Sequence, residues 1–265
     1  MSLRVGPLVE PGSLVWRVNG EGVLLLGGGR ALILQVAHPK VAAGVAQHSN
    51  FRAEPWKRLL RTLDVSLTIG FGSPQESRAA ALALRRTHAR VTGTDDRGEP
   101  YSALDPELLL SVQATLIETA LLFYERYVRE LRPAELARYY EQMRRLGEPY
   151  GLAREHMPAD VAAFRRYFAR AVETELRVTD TTRDVADAVL NPDLPLAAWP
   201  VRELTRLVTV GTLPDGLRAE LGLEWGPGRE RLLSGSQAAI RNLLPMLPAQ
   251  FRRLPRMGGA LRHAA

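Results

Sequence analysis

Apolar residues recur at intervals of three and four along most of this chain, with Pro, Gly, Ser and Asp punctuating the repeats. From Asp105-Pro106 onward, Leu109, Val112, Leu116, Ala120, Phe123 and Tyr127 form one stripe, which predicts the longest helix, roughly to Glu130. A stripe this apolar marks a central, buried helix. Upstream, Ser73 can cap and Pro74 can occupy the first position of a helix running to about Val91, with Gly93 as its stop. The apolar run from Arg30 to Ala37 leads into His38-Pro39, where proline suits the first turn of a helix through Val41, Ala42 and Val45. Further helices are expected over residues 55 to 69, 133 to 146, 159 to 176, 183 to 190, 200 to 210, 215 to 221 and 229 to 244. Residues 94 to 100 read as a turn, because Asp95-Asp96-Arg97-Gly98 supplies its chemistry.

No window alternates β-branched and polar residues around hairpin turns, so the expected fold is an all-α helical bundle. Nothing resembling a linker separates two candidate cores, and one domain is expected over residues 1 to 265. In that picture the helices from 183 to 244 pack on the preceding part. Residues 1 to 22 form an irregular lead-in, and the tail from 245 to 265 is peripheral.

Composition narrows the chemistry. Cysteine is absent, which removes disulfides, thiolate nucleophiles, thiolate-ligated haem and cysteine metal sites. Any metal must therefore be held by oxygen or nitrogen, and the histidines are only five: His38, His48, His88, His156 and His263. The formal charge is +6, and lysine occurs only at Lys40 and Lys57, so the basic residues are nearly all arginine. Arginine alternates with acids along stretches such as Arg165 to Glu175, which reads as a solvated ion-paired face and argues against nucleic acid as a partner. Met1 to Arg17 lacks a signal-peptide layout, and the most apolar stretch, Val23 to Ala37, is interrupted by Gly27-Gly28-Gly29-Arg30. A cytoplasmic protein without a transmembrane segment is expected, with peripheral membrane contact left open.

Among candidate site residues His88 is the most informative. Ala81, Leu84, His88 and Val91 fall on one helical face, so the imidazole points toward the core. Such a ring can ligate haem iron or be a core histidine with ordinary hydrogen bonds, and periodicity alone favours the second. His38 and His48 flank a short helix at a spacing that fits no metal motif, so capping or packing is expected. Arg58 and Arg61, followed by Thr62, share a helical face that either clamps carboxylates or is simply solvated. Gln113 sits among the apolar positions of the long helix and needs partners there, either on a neighbouring helix or in a pocket. The Gly27-Gly28-Gly29 run fits neither a P-loop nor a dinucleotide fingerprint, and is read as a flexible turn or a close backbone approach.

Six ordered strings together resemble the rubber oxygenase (latex clearing protein)/MpaB family. They are Gln35-Val36-Ala37-His38-Pro39-x-Val41-Ala42-Ala43-Gly44-Val45, His48-Ser49-x-Phe51, Arg58-Leu59-Leu60-Arg61-Thr62, His88-Ala89-Arg90-Val91-x-Gly93, Tyr101-Ser102-Ala103-x-Asp105-Pro106-x-Leu108-Leu109 and Ala114-Thr115-Leu116. The resemblance covers about residues 28 to 168. It implies a helical fold with a globin-like core holding haem b, and an oxygenase acting with dioxygen on a hydrophobic, isoprenoid or lipid-like substrate. His88 matches the family's proximal histidine and iron ligand. Arg58, Arg61 and Thr62 match its distal string, with Arg58 also a contact for the cofactor and His38 and Gln113 candidates for the pocket. Two positions depart from the pattern: Arg61 replaces a lysine, and Gln113 replaces a histidine. The alternative is a cofactor-free helical protein of the same scaffold that binds an apolar ligand.

Overall fold

The computed structural model describes residues 8–49, 55–192, 198–248 and 252–254, with the backbone alone for 55–61 and 63. Within these residues twelve α-helices are joined by short 3-10 turns and one two-stranded sheet. They are α1 (Leu14–Asn19), α2 (Gly28–Ala37), α3 (Pro39–His48), α4 (Pro55–Phe71), α5 (Pro74–His88), α6 (Pro106–Tyr127), α7 (Pro133–Gly147), α8 (Val161–Thr174), α9 (Asp180–Leu190), α10 (Trp199–Thr212), α11 (Asp215–Glu220) and α12 (Pro227–Leu243). The predominantly helical fold read from periodicity is the observed one.

α6 is the axis of the molecule. It packs against α1, α2, α7, α8, α12 and the 3-10 segment Gly22–Gly27. Surrounded in this way, it buries residues around most of its circumference, including Leu108, Leu109, Leu110, Ala114, Ile117 and Phe123. A single stripe was therefore the wrong shape for this helix, and Leu116, expected inside it, is 38% exposed. α6 is long and apolar enough to cross a membrane by length and composition, and 67% of that window is buried within the fold. One core region on it joins α1, α7 and α8 through Val18, Tyr139, Tyr140 and Phe164, and a second joins α10 and α12 through Phe123, Tyr127, Val208 and Leu233.

Two local expectations need correction, and one segment gains a contact. Part of the predicted irregular lead-in is α1, capped by the Ser13 hydroxyl accepting from the Trp16 amide, and Leu14, Val15 and Val18 are buried in the core. Six residues are too few to show a helical period against the surrounding Gly and Pro. A hairpin also brackets the predicted turn: β1 (Thr92–Thr94) pairs antiparallel with β2 (Pro100–Ser102), with Gly93 opposite Tyr101. Strands of three residues carry no readable alternation. Within the predicted tail, Arg253 bridges to Glu21 and the Leu254 amide donates to the Gly20 carbonyl at 2.8 Å.

Gly27-Gly28-Gly29 resolves as a close approach. A Cβ on Gly27 would lie 2.7 Å from Thr119 of α6, and one on Gly29 would lie 2.6 Å from the Thr209 hydroxyl of α10. Missing side chains thus let the start of α2 seat between those two helices.

Candidate functional site

The α4–α5 pair carries most of the residues singled out from sequence. Gly72 and Ser73 join the two helices, and the Ser73 hydroxyl accepts from the Glu76 amide at 3.3 Å while the Glu76 carboxylate accepts from the Ser73 amide at 2.9 Å. This reciprocal capping starts α5, and the Ser77 hydroxyl donates back to the Thr68 carbonyl of α4 at 3.1 Å. Two helices joined by so short a turn and packed on each other run antiparallel. The start of α4, with Arg58, Arg61 and Thr62, therefore returns toward the end of α5, where His88 is the last helical residue. The side chains of Arg58 and Arg61 lie outside the described residues; Thr62 is exposed.

Along α5 the inward positions are Ser77, Ala81, Leu84 and His88, the face expected from the sequence. Ser77 and Ala81 are buried, and Leu84 packs against the core around Tyr150 and Leu152. His88 is half-buried, its Nδ1 has no hydrogen-bond partner, and burial pushes its pKa below the ordinary 6.5. The ring is thus neutral near neutral pH with a nitrogen left unengaged. Such a group can bind a metal ion or a donor without first losing a proton. Its backbone is held by the Val91 amide, which donates to the His88 carbonyl at 3.0 Å.

The hairpin that follows α5 is clamped to α3. The Gln47 amide donates to the Thr94 carbonyl at 2.8 Å, the Tyr101 hydroxyl donates to Gln47 Oε1 at 2.7 Å, and the His48 ring meets the Thr92 carbonyl at 2.9 Å. His48 accordingly has a packing role. His38 stands at the junction of α2 and α3, where its side chain makes no capping hydrogen bond. Its Nδ1 is buried without a partner, and burial together with the nearby Lys40 charge lowers its pKa.

Gln113 behaves differently. It is buried on α6, its Oε1 accepts from the Tyr150 hydroxyl at 2.5 Å, and its amide donates to the Met143 carbonyl at 3.3 Å. The hydrogen bond to neighbouring elements, one of the two roles expected for it, is present. Tyr150 belongs to the 3-10 turn Glu148–Tyr150, which packs on α5, so Gln113 supports the wall behind the His88 helix. Sequence reasoning missed Tyr150, because a partner 37 residues away leaves no local signal. It also missed Arg30, which is buried on α2, pairs with Glu118, and donates to the Thr119 hydroxyl at 2.6 Å and the Thr212 carbonyl at 2.7 Å. An arginine inside an otherwise apolar run was the available clue.

Among the described residues no group of three His, Asp or Glu side chains could hold a metal ion. The family described as "ER-bound oxygenase mpaB/B'/Rubber oxygenase, catalytic domain" matches residues 16–242. The chain belongs to this oxygenase family. The match extends from α1 to α12, well beyond the strings that carried the resemblance. Relatives include the uncharacterized proteins Mb2261 of Mycobacterium bovis and Rv2237 of Mycobacterium tuberculosis, each 27% identical over 229 residues, which is 82% of this chain and 87% of theirs. No solved structure matches significantly.

Proposed function

We propose that this member of the family is a haem-b-dependent oxygenase, with His88 as the residue that would hold the haem iron, acting with dioxygen on a hydrophobic, isoprenoid or lipid-like substrate. The observation that carries the reading is the neutral, inward imidazole with a buried nitrogen lacking a partner, at the position matching the family's His-Ala-x-Val string. Fold membership alone would not suffice, since one scaffold can host different chemistries. Haem, when bound, supplies the capacity to activate dioxygen. The remaining tasks fall to side chains of this chain. His88 offers its lone pair, and burial keeps a competing proton off the ring. Arg58 is suited to hold propionate carboxylates through its forked donors, and Arg61, always protonated, adds positive charge but cannot act as a neutral nitrogen ligand. Thr62 supplies a hydroxyl that can orient a polar group beside it.

A second reading, a cofactor-free protein that binds an apolar ligand, draws on Gln113. Where the family pattern has a histidine, this amide is held at both ends by Tyr150 and Met143. Visible absorption of the purified, haem-reconstituted protein separates the two. A Soret band that is lost in His88→Ala, with the fold retained by circular dichroism, is the expected result. No band after haem addition, or a band indifferent to His88→Ala, overturns the oxygenase reading. A cytoplasmic location and one domain belong to the same proposal, supported by the absence of cysteine and by a family match that runs unbroken across the helices.

A further inference from the structure

Outside the His88 region the most unusual surface lies where α10 begins and α12 ends. A Cβ on Gly211 would fall 2.2 Å from Trp225, and Leu233 is also adjacent, which sets the end of α10 beside the start of α12. Leu204, Ile240 and Leu244 share one apolar cluster, so the two helices run antiparallel and the start of α10 comes level with the end of α12. At that end large apolar side chains face solvent: Trp199 is 51% exposed, Val201 62% and Met246 77%, with Leu243 and Leu247 exposed beside them. Leu232, eleven positions before Leu243 and so on the same side of α12, is exposed too, with the small residues Gly235, Ser236 and Ala239 between them. Scattered exposed leucines are ordinary, but several large apolar side chains exposed at one end of a helix pair, a tryptophan among them, mark a surface with a partner.

Charge says which partner. From residue 231 to residue 248 the sequence contains no Asp or Glu, and Arg231 and Arg241 of α12 are both exposed. On α10 Arg202 and Arg206 add positive charge, Arg202 being paired with Glu203. A self-association surface has no need for such one-sided charge, which repels a second copy. A nucleic-acid surface has no need for Leu243, Met246 and Leu247. A pair of helices that exposes apolar side chains, a tryptophan on one and arginines on the other, matches the boundary between acyl chains and anionic headgroups.

We propose that the strip formed by the start of α10 and the length of α12, with Trp199, Val201, Leu243 and Met246 inserted and Arg241 among the flanking cations, docks this protein on an anionic lipid bilayer. Docking of this kind puts a protein at the source of an apolar substrate, but it stands without haem, so its failure leaves the oxygenase reading intact. The test is co-sedimentation of the full chain with vesicles of phosphatidylcholine and phosphatidylglycerol, against vesicles of phosphatidylcholine alone. The parent is expected to sediment with the mixed vesicles and to be released by salt. Leu243→Glu with Met246→Glu should lower the bound fraction about tenfold or more, and Arg241→Glu several-fold, with unchanged circular dichroism and Tm because all three side chains are exposed. Equal sedimentation of parent and variants overturns the proposal. So does a parent that ignores the mixed vesicles, whether it dimerises through this strip by size-exclusion or binds a DNA duplex instead.

Discussion

Two sets of buried polar groups in this protein stand in opposite situations. Around α6 and α7, Tyr139 donates to Asn19 at 2.9 Å, Tyr140 to the Pro158 carbonyl at 2.8 Å, and Tyr150 to Gln113 at 2.5 Å. At the end of α5 and the α2–α3 junction, His88 and His38 each keep a buried nitrogen with no partner. Completed hydrogen bonds stabilise a fold by about 1 kcal/mol each, whereas an unmade buried one costs about 1–3 kcal/mol. A polar group that is partnered is explained by the fold, and a histidine nitrogen that is not is free to take up a proton or a ligand.

That contrast can be broken or sharpened by measurement. The largest effect belongs to the most completely engaged group. Arg30→Met should destabilise the protein by about 3–5 kcal/mol in urea denaturation, because it leaves Glu118 without its buried partner. Retained stability would show that the engaged set is not what holds α2 to α6. Gln113→Leu comes next, with about 1–3 kcal/mol lost as the Tyr150 hydroxyl and Met143 carbonyl lose their partner.

Acid should act on the other set. Burial holds His88 and His38 below the ordinary 6.5, so the unfolded chain takes up these protons first as pH falls. Their contribution is complete above about 6.5 and is lost as pH drops through that value toward the folded pKa. Denaturation curves across this range should fall more steeply for the parent than for His88→Leu, and equal slopes would mean that the ring is not held neutral. The smallest effect is His88→Leu itself at neutral pH without haem: stability within about 1 kcal/mol of the parent, since its buried Nδ1 has no hydrogen bond to lose. A loss as large as that of Gln113→Leu would place His88 among the structural residues and collapse the contrast.

Much of the helical scaffold was legible because its signals are local. The Ser73 and Glu76 capping pair sits within one turn, and the expected helix from residue 133 to 146 is observed as Pro133–Gly147. The inward direction of His88 was legible for the same reason, following from a spacing of four and seven residues from Leu84 and Ala81. The side chains of Arg58 and Arg61, which match the family's distal string, lie outside the described residues. What escaped was either too short to have a period, as with α1 and the hairpin, or too distant to have a spacing, as with Tyr150.

By itself the sequence determined a cysteine-free helical protein, its family strings, and an imidazole on the inner side of α5. These follow from interactions within a few residues and from residue type, which the unfolded chain already contains. Only the tertiary structure decided that Gln113 is held by Tyr150, that Arg30 bridges α2, α6 and α10, and that α6 is enclosed on nearly all sides. Burial and partnership belong to neighbours brought together across the chain, and they come into being only when the helices pack.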